Sequence, residues 1–299
     1  MSFHVPSDEN VKESLEIYSD ISFYKKGGFK AVYKGIKEEI IEAVKLNYIP
    51  DISEPGITEE IVEQYRKRIN REINILSKCS SPYIVRLGGL SLKEIKIESN
   101  NYAVYSEEFL EGETLFDIIK QGFQPNEKEL KLLAQSMLIA ISELWKINQS
   151  IHRDIKTLNI KKTNNPERQF VLFDLGIAFS RTETPITINP FQVPGTRQNL
   201  APEMFDQNFR NSIDFRSDLY TLGITLYEYA TGKHPLAEPG EDVMITISKI
   251  LRETPISIKT LRSDLSENFA NLIDLWLKKK PHLRPSNLGY ISKILGEQK

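Results

Sequence analysis

One run of residues, Ile151-His152-Arg153-Asp154-Ile155-Lys156-Thr157-Leu158-Asn159-Ile160, constrains this chain more than any other. It crowds a carboxylate, an ammonium and a carboxamide into one short loop, and Phe173-Asp174-Leu175-Gly176 soon adds a second carboxylate beside a glycine. A carboxylate can accept a hydrogen bond from a hydroxyl at neutral pH without first losing a proton. Hard oxygen donors are what a small divalent cation takes. The pattern H-R-D-x-x-x-x-N followed by D-x-G therefore suits a site that holds a magnesium nucleotide and orients a hydroxyl.

The rest of the chain has to frame that loop, and its totals narrow what the frame can be. At 299 residues it is long enough to bury a substantial core and to divide into more than one domain. With 39 Lys+Arg against 41 Asp+Glu, the net charge of -2 gives no reason to expect a nucleic-acid partner. The lone Cys79 excludes an internal disulfide framework. No secretory leader and no apolar run of spanning length is visible, so a cytoplasmic chain without an integral membrane segment is expected.

In chain order, Met1 to about Asp20 is polar, with Val11, Leu15 and Ile17 placed to anchor it on the first strands. Ile21-Ser22-Phe23-Tyr24 and Ala31-Val32-Tyr33-Lys34-Gly35 flank Gly27-Gly28 and read as strand, turn, strand. Ile40 to Leu46 reads as another strand, on which Lys45 needs an anionic partner or a route to water. Beyond a Pro50- and Pro55-containing connection, Ile61, Tyr65, Ile69, Ile73 and Leu76 fall at helical spacings and predict a long helix from near Thr58. Asn126 with Glu129 reads as a capping box, and Leu130, Leu133, Met137, Ile141 and Leu144 form the stripe of the helix leading to the loop. Leu222, Leu226, Tyr229 and Ala230 continue a further apolar helical surface, which Gly232 and Pro235 stop. Helical patterns around Met244 to Leu251 and Asn268 to Trp276 come next.

These motifs, in this order, resemble the eukaryotic-type protein kinase family and its serine/threonine-specific branch, from about Ile21 to about Leu295. The resemblance implies an α+β, bilobal kinase fold: a small antiparallel-sheet N-lobe over residues 1–110 and a mainly helical C-lobe over residues 111–299. It implies ATP and Mg2+ as cofactors and transfer of the γ-phosphoryl group to the hydroxyl of a protein substrate. An upstream kinase or self-phosphorylation would act on the segment from Ile177 to Glu203, where Thr182, Thr184 and Thr187 are candidate acceptors and Arg153 a candidate phosphate receptor. Asp154 matches the catalytic aspartate, Lys156 the lysine that neutralises the transferring group, and Asn159 and Asp174 the metal ligands. Lys45 matches the lysine that pairs with the α and β phosphates, and Glu72 its carboxylate clamp. Gly27 and Gly28 fall in the nucleotide-covering hairpin, Val32 and Ala43 on strands lining the nucleotide, and Glu108 and Leu110 in the hinge. Thr196 matches the threonine that bridges Asp154 and Lys156 in serine/threonine kinases. Glu203, closing Ala201-Pro202-Glu203, would pair with Arg284, Asp218 would anchor the catalytic loop, and His152 would be structural.

Five positions depart from the family pattern. Matched on Val32, the G-x-G-x-x-G segment keeps only its middle glycine, Gly27, with Lys25 and Lys30 at the outer places. Glycine helps there because backbone N–H groups must approach phosphate closely. Leu175 replaces the phenylalanine of D-F-G; Glu107 falls at the back of the adenine pocket, where an apolar or small polar residue is usual; and Lys161 replaces an apolar support for adenine. The lysines and Glu107 motivate a second reading, a pseudokinase or signalling scaffold with weak or absent phosphotransfer. Retention of Lys45, Glu72, Asp154, Lys156, Asn159 and Asp174 stands against it.

Overall fold

The computed structural model describes residues 3–175, 179–180, 197–206 and 213–296. The chain divides into two compact units, Met1–Lys78 with Val85–Glu111, and Cys79–Ile84 with Gly112–Lys299. The first is a sheet unit and the second a helical one, the α+β class expected from the sequence.

In the sheet unit, helix α1 (Asp8–Ser14) precedes strands β1 (Asp20–Lys26), β2 (Lys30–Lys37) and β3 (Ile40–Ile49). Helix α2 (Glu59–Leu76), β4 (Lys93–Ile97) and β5 (Asn100–Glu108) complete the unit, and the antiparallel sheet has the order β1-β2-β3-β5-β4. Side chains alternate across a strand, so the sheet has two different faces. One buries Ala31, Tyr33, Val44, Leu46, Tyr102 and Val104 against Phe3, Val11, Leu15 and Tyr18 of the leading segment. That segment is also tied down by its carbonyls: Tyr33 Oη donates to Pro6 O at 2.5 Å and Tyr102 Oη to His4 O at 3.0 Å. Val11 and Leu15 anchor it as expected, but Ile17 is 45% exposed and Tyr18 takes its place. Tyr18 lies so close to Gly35 that a Cβ there would meet its ring at 2.7 Å, which is why that strand position takes glycine. The opposite face packs Ile49, Ala103 and Tyr105 on Val62 and Ile69 of α2.

Helix α2 starts where Thr58 accepts a hydrogen bond from Ile61 N at 3.3 Å, an N-cap. Its buried residues are Val62, Ile69, Glu72, Ile75 and Leu76, a stripe rotated slightly from the one read in the sequence. The β2–β3 hairpin closes through Glu38 and Glu39, with φ of 48° and 68°. Such two-residue turns favour Asn-Gly because both central residues sit in the left-handed region. Replacing Glu38-Glu39 by Asn-Gly is expected to stabilise the chain by about 1 kcal/mol, read as a higher urea midpoint at unchanged slope; no gain would mean that other contacts hold the turn.

The helical unit opens with β6 (Gly112–Thr114), α3 (Leu115–Lys120) and α4 (Glu127–Lys146). Then come β7 (Ser150–Ile151), β8 (Ile160–Thr163), β9 (Phe170–Leu172) and β10 (Phe179–Ser180), and after them α5 (Phe215–Thr231) and α6 (Val243–Arg252). Helices α7 (Ile258–Leu261), α8 (Glu267–Trp276) and α9 (Leu288–Leu295) complete it. Strands β6, β8 and β9 form one small sheet and β7 and β10 another. The predicted stripe of α4, from Leu130 to Leu144, is fully buried. Asn126 caps α4 through Glu129 N at 2.9 Å, but the Glu129 carboxylate does not return to Asn126; it accepts from Tyr229 at 2.5 Å and Lys162 at 2.7 Å. Helix α5 is buried almost all round and ends at Gly232, whose φ of 72° is the left-handed cap. Among the described residues no helix is long and apolar enough to cross a membrane.

Candidate active site

Within the helical unit, the loop after β7 is held chiefly by one helix. Asp218 of α5 accepts from the backbone N–H of His152 and of Arg153, each at 2.8 Å. Thr225 Oγ1 donates to Ile155 O at 3.2 Å, and Thr157 Oγ1 donates to Glu228 at 2.9 Å. Residues 218, 225 and 228 fall at helical spacings on one face of α5, so a single rigid element fixes the loop at successive points. Arg153 is thereby kept at a φ of 67°, which a non-glycine residue adopts only at a cost. Burial pushes the Asp218 carboxyl up to about 6, against the two N–H groups, which pull it down. Burial holds the His152 ring down at about 4, so it is neutral at physiological pH and suits a packing role rather than that of a base.

The loop brings together three of the expected catalytic and metal-binding residues. Asp154 Oδ2 accepts from Lys156 Nζ at 2.7 Å and from Asn159 Nδ2 at 3.0 Å, and the same amide donates to Asp154 O at 2.9 Å. Asp154 Oδ1 is buried and has no hydrogen-bond partner among the described residues. Burial, with the Asp174 charge as a lesser contribution, raises the Asp154 carboxyl above its ordinary range, while Lys156 and Asn159 oppose the rise. Phe173 N donates to Asn159 O at 3.0 Å, which sets the Asp174 backbone beside the loop, and Asp174 has a φ of 66°. The Asn159 amide nitrogen is committed to Asp154, so Oδ1 is its atom for a cation. An Asp carboxylate and an Asn carbonyl are hard oxygen donors that fit Mg2+. Among the described residues no cluster of three or more His, Cys, Asp or Glu could hold a metal, and this small donor set suits a cation that also takes phosphate oxygens.

Within the sheet unit, Lys45 points from β3 to the face that carries α2. Its Nζ lies 3.2 Å from Glu72 Oε1, the clamp expected from the sequence. It also donates to Glu107 Oε1 and stands over the Tyr105 ring at 5.4 Å. The sheet register explains the second carboxylate: Lys45 lies opposite Tyr105 and Ala43 opposite Glu107, so all four share one face. Val32, opposite Lys45 on β2, shares it too. Sequence reading put Glu107 behind an adenine ring and did not join it to Lys45; the available signal was an acid at the end of the apolar strand Tyr102-Ala103-Val104-Tyr105.

Gly27 and Gly28 are exposed at the β1–β2 turn, where Gly27 N donates to Lys30 O at 2.7 Å. Neither has a positive φ, and an added Cβ would meet nothing closer than 3.6 Å, so this turn does not itself demand glycine. Phe29 at its tip packs on Tyr65 of α2, ring centroids 5.4 Å apart. Glu108 ends β5 and accepts from Arg86 N at 2.9 Å, and Leu110 is half-buried. Lys161 is buried on β8, opposite Thr114 and Val171. Thr196, Gly176, and Thr182, Thr184 and Thr187 lie outside the described residues.

The end of the segment containing Thr196 is anchored by Glu203, which meets Arg284 in a bidentate pair at 2.6 and 2.8 Å. A protein kinase domain model matches residues 25–297. A probable serine/threonine-protein kinase, mkcB, of Dictyostelium discoideum is 30% identical over 268 residues, 89% of this chain and 33% of the relative. The chain thus spans about a third of the length of that curated relative. With the family model matching nearly its whole length, the chain belongs to the protein kinase domain family.

Proposed function

We propose that the chain is an ATP- and Mg2+-dependent protein serine/threonine kinase that transfers the γ-phosphoryl group to a protein hydroxyl. The observation that carries this reading is the division of labour on Asp154: Oδ2 is engaged by Lys156 and Asn159, while Oδ1 is buried without a partner among the described residues. A buried carboxylate oxygen with no donor is costly, and a substrate hydroxyl is a donor that would satisfy it. Lys156 then sits where it can offset charge on the group being transferred.

In the same proposal Asn159 and Asp174 hold Mg2+, which when bound would neutralise phosphate charge. Lys45, kept by Glu72, pairs with the α and β phosphates. Gly27, Gly28, Val32, Ala43, Glu108 and Leu110 surround the nucleotide, and Thr196 bridges Asp154 and Lys156. Phosphorylation by an upstream kinase or by the chain itself, and a cytoplasmic setting, belong to this proposal as well. Retention of both half-sets supports a kinase over a scaffold.

Saturating Mg-ATP is expected to raise the melting temperature by several degrees, since a ligand at a hundred times its Kd stabilises by about 2.7 kcal/mol. Asp174→Ala should remove most of that shift. An equal shift in the variant would take Asp174 out of the site, and label from γ-labelled ATP reaching no protein would favour the scaffold.

A further inference from the structure

Lys45 stands between two carboxylates, and their charges do not balance. Nζ donates to Glu72 and to Glu107, and the three residues are 4%, 4% and 3% exposed. If both carboxylates are ionised, these three buried groups together carry one net negative charge, in a region shielded from water, where an under-compensated charge is strongly disfavoured. Hydrogen bonding alone does not remove that excess.

Among the described residues, charged and titratable groups face Glu107 from several elements. Lys45 comes from β3, Glu72 from α2, Tyr105 from its own strand, and Lys30 acts on it from β2. Burial pushes the Glu107 carboxyl up; Lys45 pulls it down, Glu72 pushes it up again, and Lys30 pulls it down by less. Among the described residues Lys45 hydrogen-bonds Glu107, and Glu72 and Lys30 act on it through their charges.

Resting on the kinase reading, in which phosphate comes to Lys45, an arriving nucleotide adds negative charge to an ammonium already shared by two acids. We propose that Glu107 is a positioning residue that holds Lys45 jointly with Glu72, and that phosphate reaches Lys45 as Glu107 takes one proton from solvent, coupling nucleotide binding to proton uptake. The balance is simple: one carboxylate oxygen gains a proton from bulk water or buffer, and no other bond changes. The neutral acid still offers its carbonyl oxygen to Lys45 while its repulsion of phosphate is gone. An apolar residue at this place would leave Lys45 to Glu72 alone and would have no proton to exchange.

The sign follows from the direction of transfer. A protein that binds a proton together with its ligand binds that ligand more tightly as pH falls, by up to about tenfold per pH unit while the group is ionised in the free protein. Titration calorimetry of Mg-ADP, in buffers of different ionisation enthalpy, measures the proton count directly. Wild type and Glu107→Gln are compared at the same pH, so the nucleotide's own protons cancel. Expected at pH 8 is an extra uptake approaching one proton in wild type, together with binding to the variant tighter by about tenfold; the gap should close toward pH 6.

Should the Gln variant not fold, Glu107→Met carries the same comparison. Binding with equal proton counts in wild type and variant overturns the coupling and leaves the kinase reading standing. Binding of Mg-ADP by neither protein at any pH overturns both.

Discussion

Replacing Asp154 with Asn is expected to lower phosphotransfer by about 10²- to 10⁴-fold while leaving the fold intact. The substitution keeps the shape of the side chain and one acceptor for Lys156 and Asn159, which lie 2.7 and 3.0 Å from Oδ2. It changes the other branch from an acceptor into a donor, at the buried oxygen that has no partner among the described residues. A substrate hydroxyl would then meet an N–H instead of a lone pair. Stability should move the opposite way. The Asp154 carboxyl titrates above its ordinary range because it is buried; an acid with a raised folded pKa costs the fold stability once pH exceeds its unfolded value, and that cost is present at pH 7. Asn removes it, so the variant should melt no lower than wild type. Label transfer from γ-labelled ATP to a mixed protein substrate set, measured beside the melting curve, tests both parts. Full activity would remove Asp154 from the chemistry, and lost activity with a collapsed melting curve would make it a folding residue.

The second large effect is expected at Glu203. All five N–H donors of the Arg284 guanidinium are used, on both Glu203 oxygens and on the carbonyls of Lys278, Lys279 and Arg216. The Arg284 side chain is fully buried, and Ser217 Oγ adds a bond of 2.5 Å to Glu203. Truncating Glu203 to Ala leaves that guanidinium charge buried without its counterion, at a cost of about 3 to 5 kcal/mol. Urea unfolding should register the whole loss. Because the pair as such is weak evidence for net stability, the double variant Glu203→Leu, Arg284→Met should lose less than Glu203→Ala alone. A Glu203→Ala protein within about 1 kcal/mol of wild type would show that the carbonyls suffice for Arg284.

Much of the helical unit was legible because its signals are local. The α4 stripe from Leu130 to Leu144 repeats at helical spacing and is buried as that spacing requires. Asp154, Lys156 and Asn159 lie within six residues, and the short loop closes them on one another. Two local readings went astray where a tertiary partner outbid a neighbour: Glu129 gave up the reciprocal half of its capping box for Tyr229 and Lys162, and Ile17 yielded the core to Tyr18, whose ring needs the space that Gly35 leaves. The Glu38-Glu39 turn carried no turn residues to announce it, and only its paired strands reveal it.

By itself the sequence determined which side chains the candidate catalytic loop carries, the strand on which Lys45 sits and the helix that brings Glu72. These follow from spacing along one segment, which covalent geometry converts directly into shared faces. Tertiary structure alone decided what Lys45 touches. Glu107 is 62 residues away in the chain, and it reaches Lys45 because β5 lies beside β3 in the sheet order and the period of two turns both side chains to the same face. Strand order arises from packing between distant segments, so the second carboxylate beside the lysine cannot be read from any one stretch of sequence.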